Sequence, residues 1–384
     1  MNDFINHMNR LPLYHDPKTS FTKEGFLADL FRLFHSTYMN IDVSRVEYNV
    51  EPVGTRELAR IKDDLNRIVR EIKDYVLTNT KRVLTVKYQK DNIKITVLFS
   101  LFSHLDDEIQ TYKRYIPWII HWFSLCYVYS EKKCQHPVRV HLYLTPFEKK
   151  LPTTKEILGE PHVNTAFTWH CKPNNKIVLY RNEEWFKVLI HESFHYFSFE
   201  DFKRSDENRL KACFPLTVDL EVGEAYGEFW ARVLTCFYRA YFIEKEFSRQ
   251  SSVLTHFYRM MYIERIYSCY QAIKVLNYMN LSYPDLYATT VEGKEKRKSY
   301  REKSNVFCYY VLVAVLMNEY QDTMSWCNKY NRSLIKITLT NSHLFVDYIK
   351  RICKNDTLLH NLEQLSGIYL ERDRTLRMTL MDFL

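Results

Sequence analysis

"WFKVLIHESFHYF", residues 185–197, reads as one buried helix that carries two histidines and a glutamate at a spacing able to hold a metal. Residues four apart on a helix share a face, so His191 and His195 can aim their imidazoles at one point, with Glu192 to the side of it. Val188, Leu189, Ile190, Phe194, Tyr196 and Phe197 surround them, and no charge other than Glu192 falls between 188 and 197. That composition suits a helix packed on a sheet and suits solvent-exposed histidines poorly. A buried polar group without a partner costs roughly 1–3 kcal/mol, and a metal ion would satisfy both rings.

The spacing alone decides little, because chance places such a pattern in roughly 4% of chains of this composition. Zinc takes imidazole nitrogens at about 2.0–2.1 Å, and a catalytic site uses three protein ligands and keeps one position for water. The helix supplies two ligands, so a third must come from elsewhere.

A source lies downstream in "VGEAYGEFWA", residues 222–231. The chain has only seven glycines, yet Gly223 and Gly227 both fall here, inside what reads as a helix from about 217 to 247. Each glycine costs a helix about 0.5–1 kcal/mol relative to alanine. The cost is offset if small residues at 223, 225 and 227 let this helix approach the first one closely. Glu224 would then reach the metal, and Glu228, one turn on, would accept the remaining N–H of a ligand histidine and fix its tautomer. The bland alternative is an acidic stripe of Glu221, Glu224 and Glu228 facing water.

Outward from these helices the pattern divides the chain in three. Residues 1–80 read as a helical region, because "FTKEGFLADLFRLFHSTYM" (21–39) and "TRELARIKDDLNRIVREIKDYVL" (55–77) set apolar residues at helical spacing with charges opposite. Residues 81–200 read as an α/β domain: a hairpin from "RVLTVKYQ" (82–89) and "KITVLFSLF" (94–102), a helix over about 106–129, then strands at 138–145, 163–169 and 176–181. Residues 201–384 read as a helical domain that supplies the third ligand, with helices at about 217–247, 253–280 and 304–320. The polar break "TTVEGKEKRKS" (289–299) is its most exposed loop. The expected class is α+β, a mixed sheet with an active-site helix, preceded by a helical layer and followed by a mostly helical domain.

His191-Glu192-x-x-His195 followed by Glu224-Ala225-Tyr226-Gly227-Glu228 resembles the gluzincin group of zinc metallopeptidases. There an HExxH helix is completed by a glutamate from a second helix that often reads ExxxD, as in the thermolysin, neprilysin and angiotensin-converting-enzyme families. The resemblance covers roughly residues 137–231. It implies a zincin-like fold, Zn2+ as cofactor and a peptide or protein substrate. It also implies His191, His195 and Glu224 as ligands, Glu192 as general base, and Glu228 as the carboxylate behind a ligand. Glu228 departs from the more usual Asp, which puts its role in doubt but not its position.

In the same families the edge strand of the sheet pairs with an extended peptide and often holds Asn and Ala close together. Asn164-Thr165-Ala166-Phe167 resembles that feature, and an edge strand offers unpaired N–H and C=O groups to such a peptide. The alternative is an edge strand shielded by a loop. "VNTAFTW…RNEEWFKVLIHE", with Tyr, Phe, Lys and Asn abundant and Gly scarce, is also similar to uncharacterised metallopeptidase-like proteins of large DNA viruses. That resemblance implies a viral protein, in the host-cell cytoplasm or the virion.

The remaining features mainly exclude. With 384 residues, 46% of them hydrophobic and 15% aromatic, the chain can bury a large core and is far from disorder. The longest apolar stretches, 115–129 and 306–317, fall short of the roughly 18–20 residues a membrane helix needs. The first residues, "MNDFINHMNRLPLYHD", lack the apolar run of a signal peptide, so a cytoplasmic location is expected. Nine scattered cysteines without a C-x-x-C pair predict reduced thiols rather than a disulfide framework. The net charge of +8 comes from 54 basic and 46 acidic residues interleaved, and the densest basic run, Lys294 to Arg301, is short and broken by Glu295. It reads as a solvated loop rather than a nucleic-acid contact. No membrane or nucleic-acid partner is expected, and nothing in the sequence specifies an oligomer.

If the metal is held, zinc supplies Lewis acidity and a water of lowered pKa, and Glu192 shuttles the proton to the leaving amine. A further donor should face the developing oxyanion. His256, Tyr258, Arg259, Tyr309 and Tyr310 are candidates, with Tyr310 preferred because "SNVFCYYVL" (304–312) follows the exposed loop and could line the far side of a cleft. The rival reading is a non-enzymatic virion or scaffold protein that keeps a zincin fold with a silent metal site.

Overall fold

A computed structural model describes residues 25–243, 249–367 and 373–382. Among these the chain is mixed α/β, with fourteen α-helices and one six-stranded open sheet. The strands are β1 (Val46–Pro52), β2 (Arg82–Lys90), β3 (Ile93–Leu101), β4 (Val138–Thr145), β5 (Ala166–Phe167) and β6 (Ile177–Arg181), in spatial order β1-β2-β3-β4-β6-β5.

The expected hairpin is β2–β3, closed from Lys90 to Ile93 by a two-residue turn in which Asp91 takes the left-handed φ of 52°. Such turns require positive φ, which Asp tolerates better than most residues. The helix Asp107–Tyr129 then carries the chain to β4, parallel to β3, and β6 lies parallel to β4. The edge strand β5 runs antiparallel to β6.

Alternation along the central strands buries both faces. Val140, Leu142, Ile177 and Leu179 belong to the main core with the helix Trp185–Phe197. Tyr143, Val178 and Tyr180 point the other way and pack on Ile61, Leu65, Ile72 and Val76 from two short helices, Thr55–Asp64 and Arg70–Asn79. Strands covered on both sides read as near-continuous apolar runs, which is why β4 appears in the sequence as "VRVHLYLT". The main core draws on residues from Leu27 to Met381, so the sheet and the helical half of the chain share one apolar interior.

Several expectations are corrected. Residues 46–52 form β1 within the stretch read as helical, and 55–77 breaks into two helices instead of one. Residues 1–24 lie outside the described part. The strand expected over 163–169 shrinks to two residues because Glu160–Val163 is a helical turn. The helix placed at 217–247 is Val222–Ile243, with 244–247 outside the described part, and the one placed at 253–280 is Gln250–Tyr278. The polar break contains a surface helix, Val291–Arg297, whose N-terminus is capped by the Thr290 hydroxyl accepting from Gly293 N–H at 3.2 Å.

The expectation of uniformly reduced cysteines fails at one pair. Cys134, just beyond the helix Asp107–Tyr129, and Cys171, in the turn between β5 and β6, form a disulfide across 37 residues of sequence. Only the sheet brings them together, so their spacing gave no warning. The other seven cysteines are free. No described helix is long and apolar enough to cross a membrane.

Candidate metal centre

The histidine-bearing helix, Trp185–Phe197, is buried along nearly its whole length. Glu184 precedes it and Ser198 follows it, both in the left-handed region at φ 58° and 56°. Ser193, inside the motif, accepts a hydrogen bond from Trp122 Nε1 at 2.9 Å and donates to Leu189 O at 2.7 Å, which ties this helix to Asp107–Tyr129.

The second helix, Val222–Ile243, packs alongside, and Glu224 from its first turn reaches both histidines. Glu224 Oε2 lies 3.2 Å from His191 Nε2 and 3.3 Å from His195 Nε2, and the two Nε2 atoms are 3.2 Å apart. These three atoms form a nearly equilateral triangle. Ligands held at about 2.0–2.1 Å around one tetrahedral centre stand about 3.3–3.4 Å apart, so the donors fit zinc.

The outer ring nitrogens support the same assignment. His195 Nδ1 is hydrogen-bonded to Glu200 Oε1 at 2.8 Å, whereas His191 Nδ1 only faces Glu228 Oε2 at 3.4 Å without the hydrogen bond expected of that carboxylate. A carboxylate at Nδ1 favours the tautomer that leaves Nε2 with a lone pair. Two lone pairs and a carboxylate oxygen then converge on one point, an arrangement that repels itself unless a cation or proton stands there.

The glycines act as close-approach residues, though unequally. A Cβ on Gly223 would meet Glu200 Cγ at 3.1 Å, whereas one on Gly227 would meet His191 and Phe194 at an ordinary 3.6 Å. Gly223 therefore admits Glu200, the partner of His195 that the sequence reading missed. Its only sequence signal was a carboxylate five residues beyond the second histidine.

Glu228 makes its hydrogen bonds to cations rather than to His191. It accepts from Lys187 Nζ at 2.8 and 2.9 Å and from Arg232 Nε at 2.9 Å, all in the interior. Burial works against its charge, but Lys187, Arg232 and His191 outweigh it and hold the carboxyl at about 2. Glu200 is likewise held at about 2, against burial, by His195 and His170. Burial also opposes the charge on His195, yet Glu224 and Glu200 raise its pKa. Burial opposes the charge on Glu224 too, and the two histidines bring its carboxyl well below the usual range. Glu192 differs: burial raises its pKa, which His191 and His195 only partly offset.

Glu192 lines a cavity of about 30 Å³ together with His191, Tyr309, Met378 and the segment Val163–Ala166. Asn164, Thr165 and Ala166 thus share this cavity with His191 and Glu192. Thr165 O accepts from Tyr180 N at 3.0 Å, so the alternation of an antiparallel ladder turns the main chain of Ala166 away from β6. A larger groove of about 410 Å³, containing Phe167 and Trp169, shares Asn164 and Ala166 with this cavity.

The expectation for Tyr310 is corrected. Its hydroxyl donates to Leu376 O at 2.6 Å in the interior, away from the cavity. Tyr309 takes its place, donating to Glu224 Oε2 at 3.0 Å and setting its ring against His191. Both tyrosines lie in a π-helical turn, Phe307–Leu312, whose wider register no helical period predicts. His256, Tyr258 and Arg259 lie on the helix Gln250–Tyr278 and do not line the cavity.

Residues 303–305 are bonded to the site and its surroundings. Lys303 N–H donates to Leu158 O at 2.9 Å, Ser304 Oγ to Asn164 Oδ1 at 2.9 Å, and Asn305 Nδ2 to Glu221 Oε2 and Glu224 Oε1 at 3.3 and 3.4 Å. No family model, curated protein or solved structure matches this chain.

Proposed function

We propose that the protein is a zinc-dependent peptidase of gluzincin type, with His191, His195 and Glu224 as ligands. The triangle of donor atoms at 3.2, 3.2 and 3.3 Å carries this reading. Zinc bound there supplies Lewis acidity and a water of lowered pKa. Glu192, whose carboxylate burial makes a stronger base by raising its pKa, would take the proton from the attacking water and return it to the leaving amine. The outward N–H and C=O of Ala166 would bind an extended peptide as an added strand. Tyr309, rather than Tyr310, would donate to the oxyanion, exchanging its bond to Glu224 for one to substrate.

One observation favours the rival, a zincin-like protein with a silent site. A cavity of about 30 Å³ admits water and excludes a peptide, and Ser304 and Asn305 bond to Asn164, which lines it, and to Glu224. Under the peptidase reading the cavity must widen for substrate to enter.

Elemental analysis of protein purified without a metal-affinity column or chelator, followed by a peptide-library turnover assay, separates the readings. About one zinc per chain with turnover supports the peptidase. Zinc without turnover supports the silent site, and no zinc, with none taken up on addition, removes both.

A further inference from the structure

Cys213 and Cys353 place their sulfurs 3.6 Å apart although 140 residues separate them in the sequence. Cys213 sits just past the helix Arg204–Lys211 and is partly exposed; Cys353 ends the helix Ser342–Ile352 and is buried. The two helices are also joined by Arg209 and Asp347, with Nη2 lying 2.5 and 2.6 Å from the carboxylate oxygens. The Cys353 backbone is fixed by Ile349, which accepts its N–H at 2.9 Å, and by Tyr283, whose hydroxyl donates to its carbonyl at 2.7 Å. The contact is therefore held by structure around both thiols.

We propose that Cys213 and Cys353 form a redox-reactive dithiol, with Cys213 the attacking thiol and Cys353 the resolving one. An accessible thiol backed by a second within contact is the arrangement that turns an oxidant into a reversible disulfide. The Cys353 S–H beside Cys213, with Lys354 and Lys350 near, lowers the Cys213 thiol from its usual range and so favours its thiolate.

The oxidant is a low-molecular-weight disulfide such as oxidised glutathione. The Cys213 thiolate attacks one of its sulfurs, breaking that S–S bond, forming a mixed disulfide and expelling one small thiolate. Cys353, losing its proton to solvent, then attacks Cys213 Sγ and expels the second. Two protein thiols are oxidised and one small disulfide is reduced to two thiols. No residue of the metal site takes part in these steps.

The test uses the full chain, incubated with oxidised glutathione at neutral pH, quenched with an alkylating agent, and mapped by mass spectrometry without reduction. A peptide linking Cys213 to Cys353 is expected, along with the loss of two alkylatable thiols, both reversed by dithiothreitol. Cys353→Ser should accumulate glutathione on Cys213, and Cys213→Ser should leave Cys353 at least tenfold slower to react. Far-UV circular dichroism of each variant guards against misfolding. If both sulfurs stay alkylatable in the wild type and a folded Cys353→Ser takes up no glutathione, the assignment is wrong. Linkage of Cys213 to any other cysteine also overturns it.

Discussion

Tyr309 donates its hydroxyl hydrogen to the same Oε2 of Glu224 that faces His191 and His195, so one carboxylate oxygen joins the π-helical turn to both histidines. Tyr310, its neighbour, reaches instead into the interior to Leu376. The adjacent phenols should therefore separate catalysis from stability. Tyr309→Phe is expected to keep zinc near one per chain and lower kcat by about 10²-fold, as for loss of one oxyanion donor. Tyr310→Phe should leave kcat alone and cost about 1–3 kcal/mol in urea denaturation, because the Leu376 carbonyl loses its donor. Equal kcat in wild type and Tyr309→Phe would remove Tyr309 from the reaction.

Glu192 points into the cavity without belonging to the triangle of donors. Glu192→Gln preserves shape and removes the proton acceptor, so peptide hydrolysis should fall to background while metal content and melting temperature stay at wild-type values. Full turnover by this variant would exclude Glu192 as the base.

Glu221 and Glu224 are neighbours in sequence and share a hydrogen-bond donor in Asn305, yet only Glu224 meets both histidines. Glu224→Ala should lose more than about 100-fold in zinc affinity, beyond the usual effect of outer-sphere changes. Glu221→Ala should retain it. Equal zinc content in wild type and Glu224→Ala, measured after dialysis against a competing chelator, would take Glu224 out of the ligand set.

These variants rest on residues that the sequence exposed to view unevenly. The histidine pair, Glu224 and the strands β2, β3, β4 and β6 were legible because each follows from a local period or spacing. Tyr309 stood among the candidates, but the preference fell on its neighbour Tyr310, because a π turn shifts which side chain faces the site. β1 was missed although Val46, Tyr48 and Val50 alternate with Glu47, Asn49 and Glu51, because the helical runs on either side drew this short, largely exposed stretch into one helical reading. Glu200 and the Cys134–Cys171 bridge depend on loops that only the assembled sheet and helices bring together.

Glu200 supports His195 from outside the triangle, and Gly223 makes room for it. Glu200→Gln keeps the volume but weakens the acceptor, and about a 10–100-fold loss in zinc affinity is expected. Gly223→Ala should show a similar, smaller loss, because a Cβ at 3.1 Å must push Glu200 aside. Chelator competition measures both, and unchanged affinity in Glu200→Gln would mean that His195 needs no such support.

The far face of the sheet holds a buried charge cluster that should govern acid stability. Asp64, from the helix Thr55–Asp64, accepts from His141 Nδ1 at 2.5 Å and also from Tyr143 and Lys176. Burial works against its charge, but His141, Lys176 and Tyr143 prevail and bring the carboxyl from 3.8 to about 2. The folded state thus gives up this proton more readily than the unfolded chain. The resulting stability, about 2 kcal/mol, is complete above the unfolded value and is lost as pH falls through the folded one. Between pH 5 and pH 2 the wild type should therefore lose about 2 kcal/mol more than Asp64→Asn, which has no proton to bind there. Urea denaturation at pH 5, 3.5 and 2.5 reads the difference. Parallel curves for the two proteins would show that the Asp64 cluster contributes nothing to the acid limb.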